Sequence, residues 1–394
     1  MTFYHPRSPS DAAQRQAPSK PPIRFATAVA AAATVGLLSS ACSSAEPTPT
    51  VSGGTSAQPP TSGTATSAAS SATSSAGVTG APAALTTVVA KRYGGTVPAQ
   101  ARATTGTWFD TPVAVVTAGD DVTLAVGPTW KVVGGWWPSL GKKEPELGKA
   151  GPRFVLAIGS DARKGQPLER TRADVLQVIG TDGEGGGGVM GMARDLWVPL
   201  STGGKGKINS AMVFGGPKAQ LATVKTVTGL PIEGYVVVGF SGFRQVVNEQ
   251  GGIPIVVPQT VDASHAGIVI KKGPQTLSGK EALAYARERK TLPDGDFGRS
   301  RHQGEIILAA AVKAKLAGPQ AIPAAFTSFS KVGKTNLSAE QMLTYAAGLY
   351  RLSPLQVGRG VAKGGFGTAS GQSIVVLGAE AKKLFASFRD GNLS

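Results

Sequence analysis

Apolar runs in the middle of the chain predict the strands of a buried sheet. The stretch Phe154–Gly159 is continuously apolar, as expected of a strand that is covered on both faces. Asp174–Gly180 and Val189–Ala193 predict two further strands, which a glycine-rich turn separates. Later runs predict strands at Gly234–Phe240, Ile253–Pro258 and Ile268–Lys271.

Segments with helical signals alternate with these strands. Ser278 and Glu281 form a capping box, so a helix should begin there and continue to about Ala286. Helical spacing and a second capping box predict further helices at Gly216–Thr228, Ser241–Gln250, Gly298–Leu316 and Ser338–Leu349. Strands that alternate with helices indicate an α/β fold or an α–β–α sandwich.

The first 42 residues have the order of a secretory signal. Four Lys/Arg residues precede the apolar run Phe25–Leu38, and small residues then lead to Cys42. The run is shorter than the roughly twenty residues that span a bilayer as a helix. It resembles a bacterial lipobox, which would make Cys42 the lipidated mature N-terminus. An uncleaved signal anchor and simple secretion are the alternatives. Lipidation of Cys42 or an uncleaved anchor would attach the chain to the extracytoplasmic face of the cell membrane.

Composition divides the remaining chain into regions. Residues 43–84 predict a disordered linker, because a chain rich in Ser, Thr, Ala and Pro buries too little apolar surface to fold. Residues 85–149 predict a small β-rich accessory region whose tryptophans pack on the main domain, or alternatively contact membrane or glycan. Residues 150–320 form the predicted main domain, and residues 321–394 form a helical extension that completes it.

The net charge of +16 indicates an anionic partner. Residues 1–84 hold four Lys/Arg and two Asp/Glu, so +14 of this charge belongs to the predicted folded part. Nucleic acid, an anionic membrane and a phosphate-bearing glycan are all compatible with it. The single cysteine excludes an intrachain disulfide and a CxxC zinc site, and the three scattered histidines do not support a histidine metal cluster or a Ser-His-Asp triad.

Four arginines lie within the stretch Tyr285–Gln303. Arg287 and Arg289 precede a glycine-rich turn, and Arg299 and Arg301 follow it. Guanidinium groups donate two parallel hydrogen bonds to phosphate and stay charged at physiological pH. Two such pairs, folded together by the turn, would clamp a diphosphate; a solvated basic surface is the alternative.

Residue spacing limits which of these side chains can converge. Arg287 and Arg289 diverge within an α-helix, so they converge if the helix ends by about Arg287 and the chain then extends. Arg299 and Gln303 are four residues apart and can share one helical face. Arg301 should therefore face elsewhere and be dispensable.

Charged residues also occur where the predicted strands begin or end. Asp161 directly follows the first strand, Asp174 begins the second, and Arg194 follows the third. Two carboxylates at neighbouring strand ends could share a hard cation such as Mg²⁺. Each residue alone is equally compatible with a cap or a turn. Together with the arginines they suit a metal-bridged diphosphate.

Six motifs of the chain resemble, in order and spacing, those of the LytR-CpsA-Psr family: GSDAR, RTRAD, MARDLWVP, KINSAMVFGGP, LSGKEALAYARERK and DFGRSRHQ. The resemblance covers about Phe154 to Leu316. It implies a central mixed sheet flanked by helices, with an apolar cavity for a prenyl tail. It also implies a Mg²⁺-dependent phosphotransferase of the cell envelope that moves a glycan phosphate from a polyprenyl diphosphate onto peptidoglycan, attaching teichoic acid, capsular polysaccharide or arabinogalactan.

The resemblance assigns roles residue by residue. Asp161 and Asp174 match the acidic pair that the family associates with magnesium, and Arg194 matches the arginine of its PRD motif. The catalytic residues that it implies are Asp161, Asp174, Arg194, Arg287, Arg289 and Arg299. The implied diphosphate-binding residues are Arg163, Arg194, Arg287, Arg289, Arg299 and Gln303. The chain has alanine instead of proline before Arg194.

Two hypotheses from other functional classes compete with the phosphotransferase. An envelope lipoprotein could bind polyprenyl phosphate or glycan in the same pocket without turnover. A DNA-binding transcriptional regulator is disfavoured, because a signal segment and tether place the domain on the wrong side of the membrane for nucleic acid. The expected partners are therefore a polyprenyl-diphosphate-linked glycan, peptidoglycan and the membrane.

Overall fold

The computed structural model describes residues 77–163 and 165–394 of the chain. The predicted signal segment, Cys42 and residues 43–76 of the predicted linker lie outside the described residues. Residues 77–84 of that linker belong to the folded region, since Val78 is buried and the first helix begins at Ala83. The folded region thus begins before the predicted boundary at residue 85.

The described residues form eight α-helices and eighteen strands. The helices are α1 (Ala83–Arg92), α2 (Ser210–Thr228), α3 (Phe240–Glu249), α4 (Gly279–Arg287), α5 (Asp296–Ala317), α6 (Ile322–Ser330), α7 (Ala339–Arg351) and α8 (Ala379–Ser387). The first nine strands are β1 (Arg102–Trp108), β2 (Thr111–Ala118), β3 (Asp121–Val126), β4 (Lys131–Trp136), β5 (Arg153–Ser160), β6 (Ala173–Thr181), β7 (Gly187–Met192), β8 (Trp197–Pro199) and β9 (Lys205–Lys207). The other nine are β10 (Gly234–Gly239), β11 (Ile253–Val257), β12 (Val261–Ala263), β13 (Ile268–Ile270), β14 (Gly273–Leu277), β15 (Gly333–Thr335), β16 (Val357–Ala362), β17 (Gly364–Ala369) and β18 (Gln372–Leu377).

A six-stranded mixed sheet lies at the centre, in the order β15-β10-β5-β6-β7-β16. Strand β10 runs parallel to β5 and β16 runs parallel to β7, whereas β6 is antiparallel to both of its neighbours. The strands predicted from the apolar runs at residues 154–159, 174–180 and 189–193 form its middle, which confirms those predictions.

Both faces of the sheet are covered, which confirms the α–β–α sandwich. Phe154, Leu156 and Ile158 alternate along one face of β5 and pack in a core that includes residues of α2 and α8. Val155, on the opposite face, packs against Tyr345 of α7. Helix α5 covers the same face, where the side chain of Gln177 donates to a carbonyl of α5 at 2.9 Å.

Local signals start several of the helices. Both predicted capping boxes are present, at Ser278 before α4 and at Ser338 before α7. Helix α2 is broken at Gly216, whose φ of 70° and ψ of −170° are not helical, and it resumes at Pro217. Glycine tolerates this backbone, and proline suits the first turn of the new segment. The predicted start at Gly216 therefore marks the second part of a longer helix.

The accessory region is a four-stranded antiparallel sheet, β1–β4, with α1. Its tryptophans are packed: Trp137 is fully buried, and Trp136 stacks on Tyr350 of α7 at a centroid distance of 6.0 Å. The indole of Trp108 donates to the carbonyl of Leu337 at 2.9 Å. Trp136 and Trp137 are thus buried as predicted, whereas Trp130 is partly buried.

The C-terminal region differs from the expected helical extension. Residues 321–394 contain four strands as well as three helices, and β15 and β16 form the two edges of the central sheet. Strands β17 and β18 pair as a hairpin, which the apolar runs of the sequence did not predict. Glycine-rich sequence conceals it, since β17 reads GGFGTA and lacks the alternation of a typical strand.

Candidate anion-binding site at an apolar cavity

A cavity of about 310 Å³ lies between the sheet and helices α3, α4 and α5. Most of its lining is apolar and includes Ala157, Val236, Val238, Phe240, Phe243, Leu283, Ile306, Ile307 and Phe329. The polar lining is concentrated in a set that includes Asp174, Arg194, Arg287, Arg289, Arg299 and Gln303. A cavity with this division suits an amphipathic ligand with an anionic head.

Arg287 and Arg289 converge on the cavity because α4 ends between them. The helix ends at Arg287, and Glu288 follows with an extended backbone of φ −66° and ψ 135°. Arg287 and Arg289 consequently both line the cavity, although they are two residues apart. The guanidinium of Arg287 lies 4.5 Å from the ring centroid of Phe240, which steadies it by a cation–π contact. The prediction that the chain extends after Arg287 is confirmed.

Buried Glu288 fixes the turn between these two arginines. Its carboxylate accepts hydrogen bonds from the backbone N–H of Arg289 and Thr291, and it contacts His265 Nδ1 at 2.9 Å. Burial alone would raise the pKa of Glu288, but these hydrogen bonds hold the pKa below its ordinary value. Sequence reasoning missed this residue, because a glutamate between basic residues looks like surface charge.

The second arginine pair divides as the spacing predicts. Arg299 and Gln303 share the face of α5 that lines the cavity. Arg301 lines a different surface and pairs with Asp294 at 2.5 Å. The two predictions of side-chain direction are confirmed, whereas the dispensability of Arg301 stays a prediction.

Asp296 links the two arginine pairs. Its carboxylate lies 3.2 Å from Arg299 and 3.5 Å from Arg289, and its side chain is 7% exposed. Burial lowers the pKa of Arg299 below its ordinary value; Asp296 opposes this shift, and nearby Arg194 adds to it. An anion bound in the cavity would relieve that cost. Sequence reasoning gave Asp296 no role, although its spacing of three residues from Arg299 on a helix was a usable signal.

Asp174 and Arg194 form an ion pair at 2.5 Å inside the cavity lining. Burial lowers the pKa of Arg194, but Asp174 and then Asp195 outweigh it, so the pKa is raised. The Nε–H of Arg194 is buried and has no hydrogen-bond partner among the described residues. Leaving such a buried donor unsatisfied costs about 1–3 kcal/mol.

Asp161 lies at the predicted sheet edge but not in the cavity lining. Ser160 pairs with Ala173 in the β5–β6 register, so Asp161 and Asp174 flank the same end of two neighbouring strands. The carboxylate of Asp161 accepts from the backbone N–H of Arg172 at 2.9 Å. Arg163 is exposed in the loop that follows and does not line the cavity either. Six of the eight predicted charged and polar residues thus line the cavity, whereas Asp161 and Arg163 do not.

Asp161 and Asp174 offer oxygen donors of the type that Mg²⁺ prefers, but only Asp174 lines the cavity. No group of three or more His, Cys, Asp or Glu side chains within residues 77–163 and 165–394 could hold a metal ion alone. Asp161 and Asp174 each use one carboxylate oxygen, Oδ1, in their hydrogen bonds to Arg172 and Arg194. Mg²⁺ typically takes one or two carboxylates and completes its shell with water and phosphate oxygens.

The fold and the site define an α/β protein that presents arginines at one end of an apolar cavity. The LytR_cpsA_psr family model matches residues 139–361 of this chain, more than half of its length. The chain belongs to the LytR-CpsA-Psr family.

Similar proteins extend this finding. The chain is 40% identical over 168 residues to the polyisoprenyl-teichoic acid–peptidoglycan teichoic acid transferase TagV of Bacillus subtilis; the match covers 40% of this chain and 42% of TagV. It is 36% identical over 156 residues to the regulatory protein MsrR of Staphylococcus aureus, covering 39% of this chain and 46% of MsrR. The crystal structure of B. subtilis TagV superposes with a TM-score of 0.53 at 30% identity, covering 62% of this chain and all of that one. The matched sequence spans less than half the length of these curated relatives.

Proposed function

We propose that this protein is a cell-envelope phosphotransferase that moves a glycan phosphate from a polyprenyl diphosphate onto peptidoglycan. The relative TagV is named for the transfer of teichoic acid from a polyisoprenyl carrier to peptidoglycan, which supports this reaction class. The observation that carries the proposal is an apolar cavity whose polar end is lined by Arg194, Arg287, Arg289 and Arg299. A diphosphate would neutralise the surplus positive charge of these arginines.

The cavity suits both parts of the donor substrate. Phe240, Phe243 and Ile307 belong to its apolar lining, against which a prenyl chain would be removed from water. The arginines would bind the diphosphate at the polar end. The substrate would therefore be oriented with its scissile phosphorus beside Arg299 and its tail inside the protein.

The reaction needs positioning and charge stabilisation more than covalent participation by the protein. A sugar hydroxyl of peptidoglycan attacks the phosphorus that carries the glycan, and the bond to the polyprenyl phosphate breaks in line. Negative charge grows on the departing polyprenyl phosphate. Arg287, Arg289 and Arg299 stabilise that charge as donors fixed before the reaction starts.

Asp174 is the predicted acidic residue that lines the cavity, and its pairing with Arg194 holds both side chains in place. Asp161 and Asp174 would hold the proposed Mg²⁺, which when bound would neutralise phosphate charge as a Lewis acid. The attacking hydroxyl must also lose its proton. Asp174 is the better placed of the two carboxylates to accept it, since Asp174 lines the cavity and Asp161 does not.

The N-terminal segment completes the proposal. Within the described part of the chain, none of the helices combines the length and the apolar character that crossing a membrane requires. Cys42 and the apolar run before it lie outside that part. We propose that this segment attaches the domain to the extracytoplasmic face of the membrane, through lipidated Cys42 or as an uncleaved anchor.

A transfer assay with a polyprenyl-diphosphate-linked glycan and peptidoglycan tests the enzyme. We expect wild-type protein to transfer the glycan in a Mg²⁺-dependent manner, and Arg287→Ala and Asp174→Ala to lose most of that activity. Chelation of Mg²⁺ should abolish turnover without unfolding the protein, which circular dichroism checks. If wild-type turnover is no higher than that of the two variants, the enzyme hypothesis is wrong and a lipid-binding envelope protein is the remaining interpretation.

A further inference from the structure

A second pocket of about 310 Å³ adjoins the arginines on the side of the β17–β18 hairpin. Its lining includes Asp195, Arg289, Lys290, Asp296, Phe366 and Val375, and we call it the hairpin pocket. Arg289 and Lys290 line both this pocket and the apolar cavity. The two spaces therefore meet at the residues that would hold the diphosphate.

The hairpin pocket differs in chemistry from the cavity. Phe366 is 71% exposed, which is unusual for a large aromatic side chain, and it rests on buried Phe297 at a centroid distance of 5.7 Å. The hairpin is fixed to the main domain, since the N–H of Val375 donates to the carbonyl of Asp195 at 2.9 Å. Phe366 is paired with Val375 across the hairpin. The ring is thus an exposed platform on an anchored support.

Two carboxylates complete the pocket. Asp195 lies 3.0 Å from Lys207, and Asp296 lies between Arg289 and Arg299. These ion pairs hold both carboxylates in place, so each can accept a hydrogen bond from a ligand hydroxyl. An aromatic platform beside fixed acceptors matches a sugar ring, which has apolar C–H faces and a rim of hydroxyls.

We infer that the hairpin pocket binds a sugar ring of the glycan substrates, with Phe366 against the face of the ring and the two carboxylates accepting its hydroxyls. The inference rests on the proposed function for the identity of the substrate. In a glycan-linked polyprenyl diphosphate, the sugar follows the diphosphate on the side opposite the tail. The acceptor sugar must also approach opposite the departing polyprenyl phosphate. Both sources place a sugar where the hairpin pocket meets the arginines.

The family match itself does not include this platform. It ends at residue 361, whereas Phe366 and Val375 lie beyond it. The hairpin pocket thus combines residues of the matched region with a support outside it. Such an arrangement suits a specificity element, because loops and hairpins can vary around a fixed reaction site.

Equilibrium binding to Phe366→Ala and Val376→Ala tests the inference. Val376 is a matched control: it is 49% exposed on the same hairpin and does not line the pocket. Three probes are titrated by calorimetry: a peptidoglycan disaccharide, a prenyl diphosphate bearing one N-acetylhexosamine, and the same prenyl diphosphate without sugar. We expect Phe366→Ala to weaken one of the sugar-bearing probes by about tenfold, as loss of an aromatic contact does, and to leave the sugar-free probe unchanged.

Each result has a defined meaning. Weaker disaccharide binding identifies the acceptor as the source of the sugar, and weaker binding of the sugar-bearing diphosphate identifies the donor. If no diphosphate binds while the disaccharide still depends on Phe366, the proposed phosphotransferase fails and the sugar site stands. Three outcomes would overturn the inference. Phe366→Ala and Val376→Ala could bind the sugar-bearing probes equally well, or Phe366→Ala could weaken the sugar-free probe as much as the sugar-bearing ones. The wild-type protein could also bind the prenyl diphosphate equally well with and without its sugar and show no binding of the disaccharide.

Discussion

Arg153 and Arg194 are both held by a carboxylate at the central sheet, yet they differ in how many of their donors the protein uses. The side chain of Arg153 is 8% exposed and forks onto Glu233 with bonds of 2.7 and 2.8 Å. It also donates to Thr344 and to two backbone carbonyls. All five of its N–H donors can thus be accounted for within the protein.

Arg194 is bound much less completely. Among the described residues it makes one side-chain hydrogen bond, to Asp174, and its buried Nε–H has no partner. Arg299 is similar, with one bond to Asp296 despite a side-chain exposure of 7%. Arg153 is saturated and holds the fold, whereas Arg194 and Arg299 are unsaturated and keep donors that a ligand could use. Charge alone would place all three residues in the same class.

The largest effect should come from removing an unsaturated arginine. Arg299→Ala deletes a buried donor that would contact the diphosphate, so we expect kcat/KM for glycan transfer to fall at least about a hundredfold. The transfer assay at several donor concentrations measures it. Asp296 would keep its ion pair with Arg289, so we expect the free energy of unfolding to fall by less than in Arg153→Ala. A variant that keeps near wild-type transfer would remove Arg299 from the site.

Removing the saturated arginine should affect stability instead. Arg153→Ala leaves Glu233 largely buried and without its partner, and we expect a loss of about 3 kcal/mol in the free energy of unfolding. Urea titration followed by circular dichroism measures the loss. The fraction that remains folded should transfer glycan at the wild-type rate. Glu233→Gln in the Arg153→Ala background should recover part of the stability, since it removes the unpaired charge.

Sequence patterns sufficed where the determining geometry is local. The divergence of residues two apart on a helix placed the end of α4 at Arg287, and the spacing of four placed Arg299 beside Gln303. The strand-end positions of Asp161 and Asp174 also followed from apolar runs on either side. These predictions need no knowledge of distant contacts.

Long-range packing decided the rest. Spacing could not show that Asp161 would bond to the backbone of Arg172 while Asp174 turned to Arg194. Nor could it show that the hairpin at Phe366 would come to lie beside Arg289, because 77 residues of chain separate them. Asp296 was predictable in part. Its helical spacing to Arg299 is visible in the sequence, but its contact with Arg289 depends on how the turn folds.

The smallest effect should come from Arg301, the matched control for Arg299. It lies on the same helix, two residues away, and its guanidinium pairs with Asp294 at 2.5 Å outside the cavity. Both side chains are about one-third exposed or more, so the pair should contribute at most about 1 kcal/mol to stability. We therefore expect Arg301→Ala to retain transfer within about twofold of wild type, measured beside Arg299→Ala in one assay. A loss equal to that of Arg299→Ala would mean that charge density on α5, and not the number of free donors, determines which arginines act on the substrate.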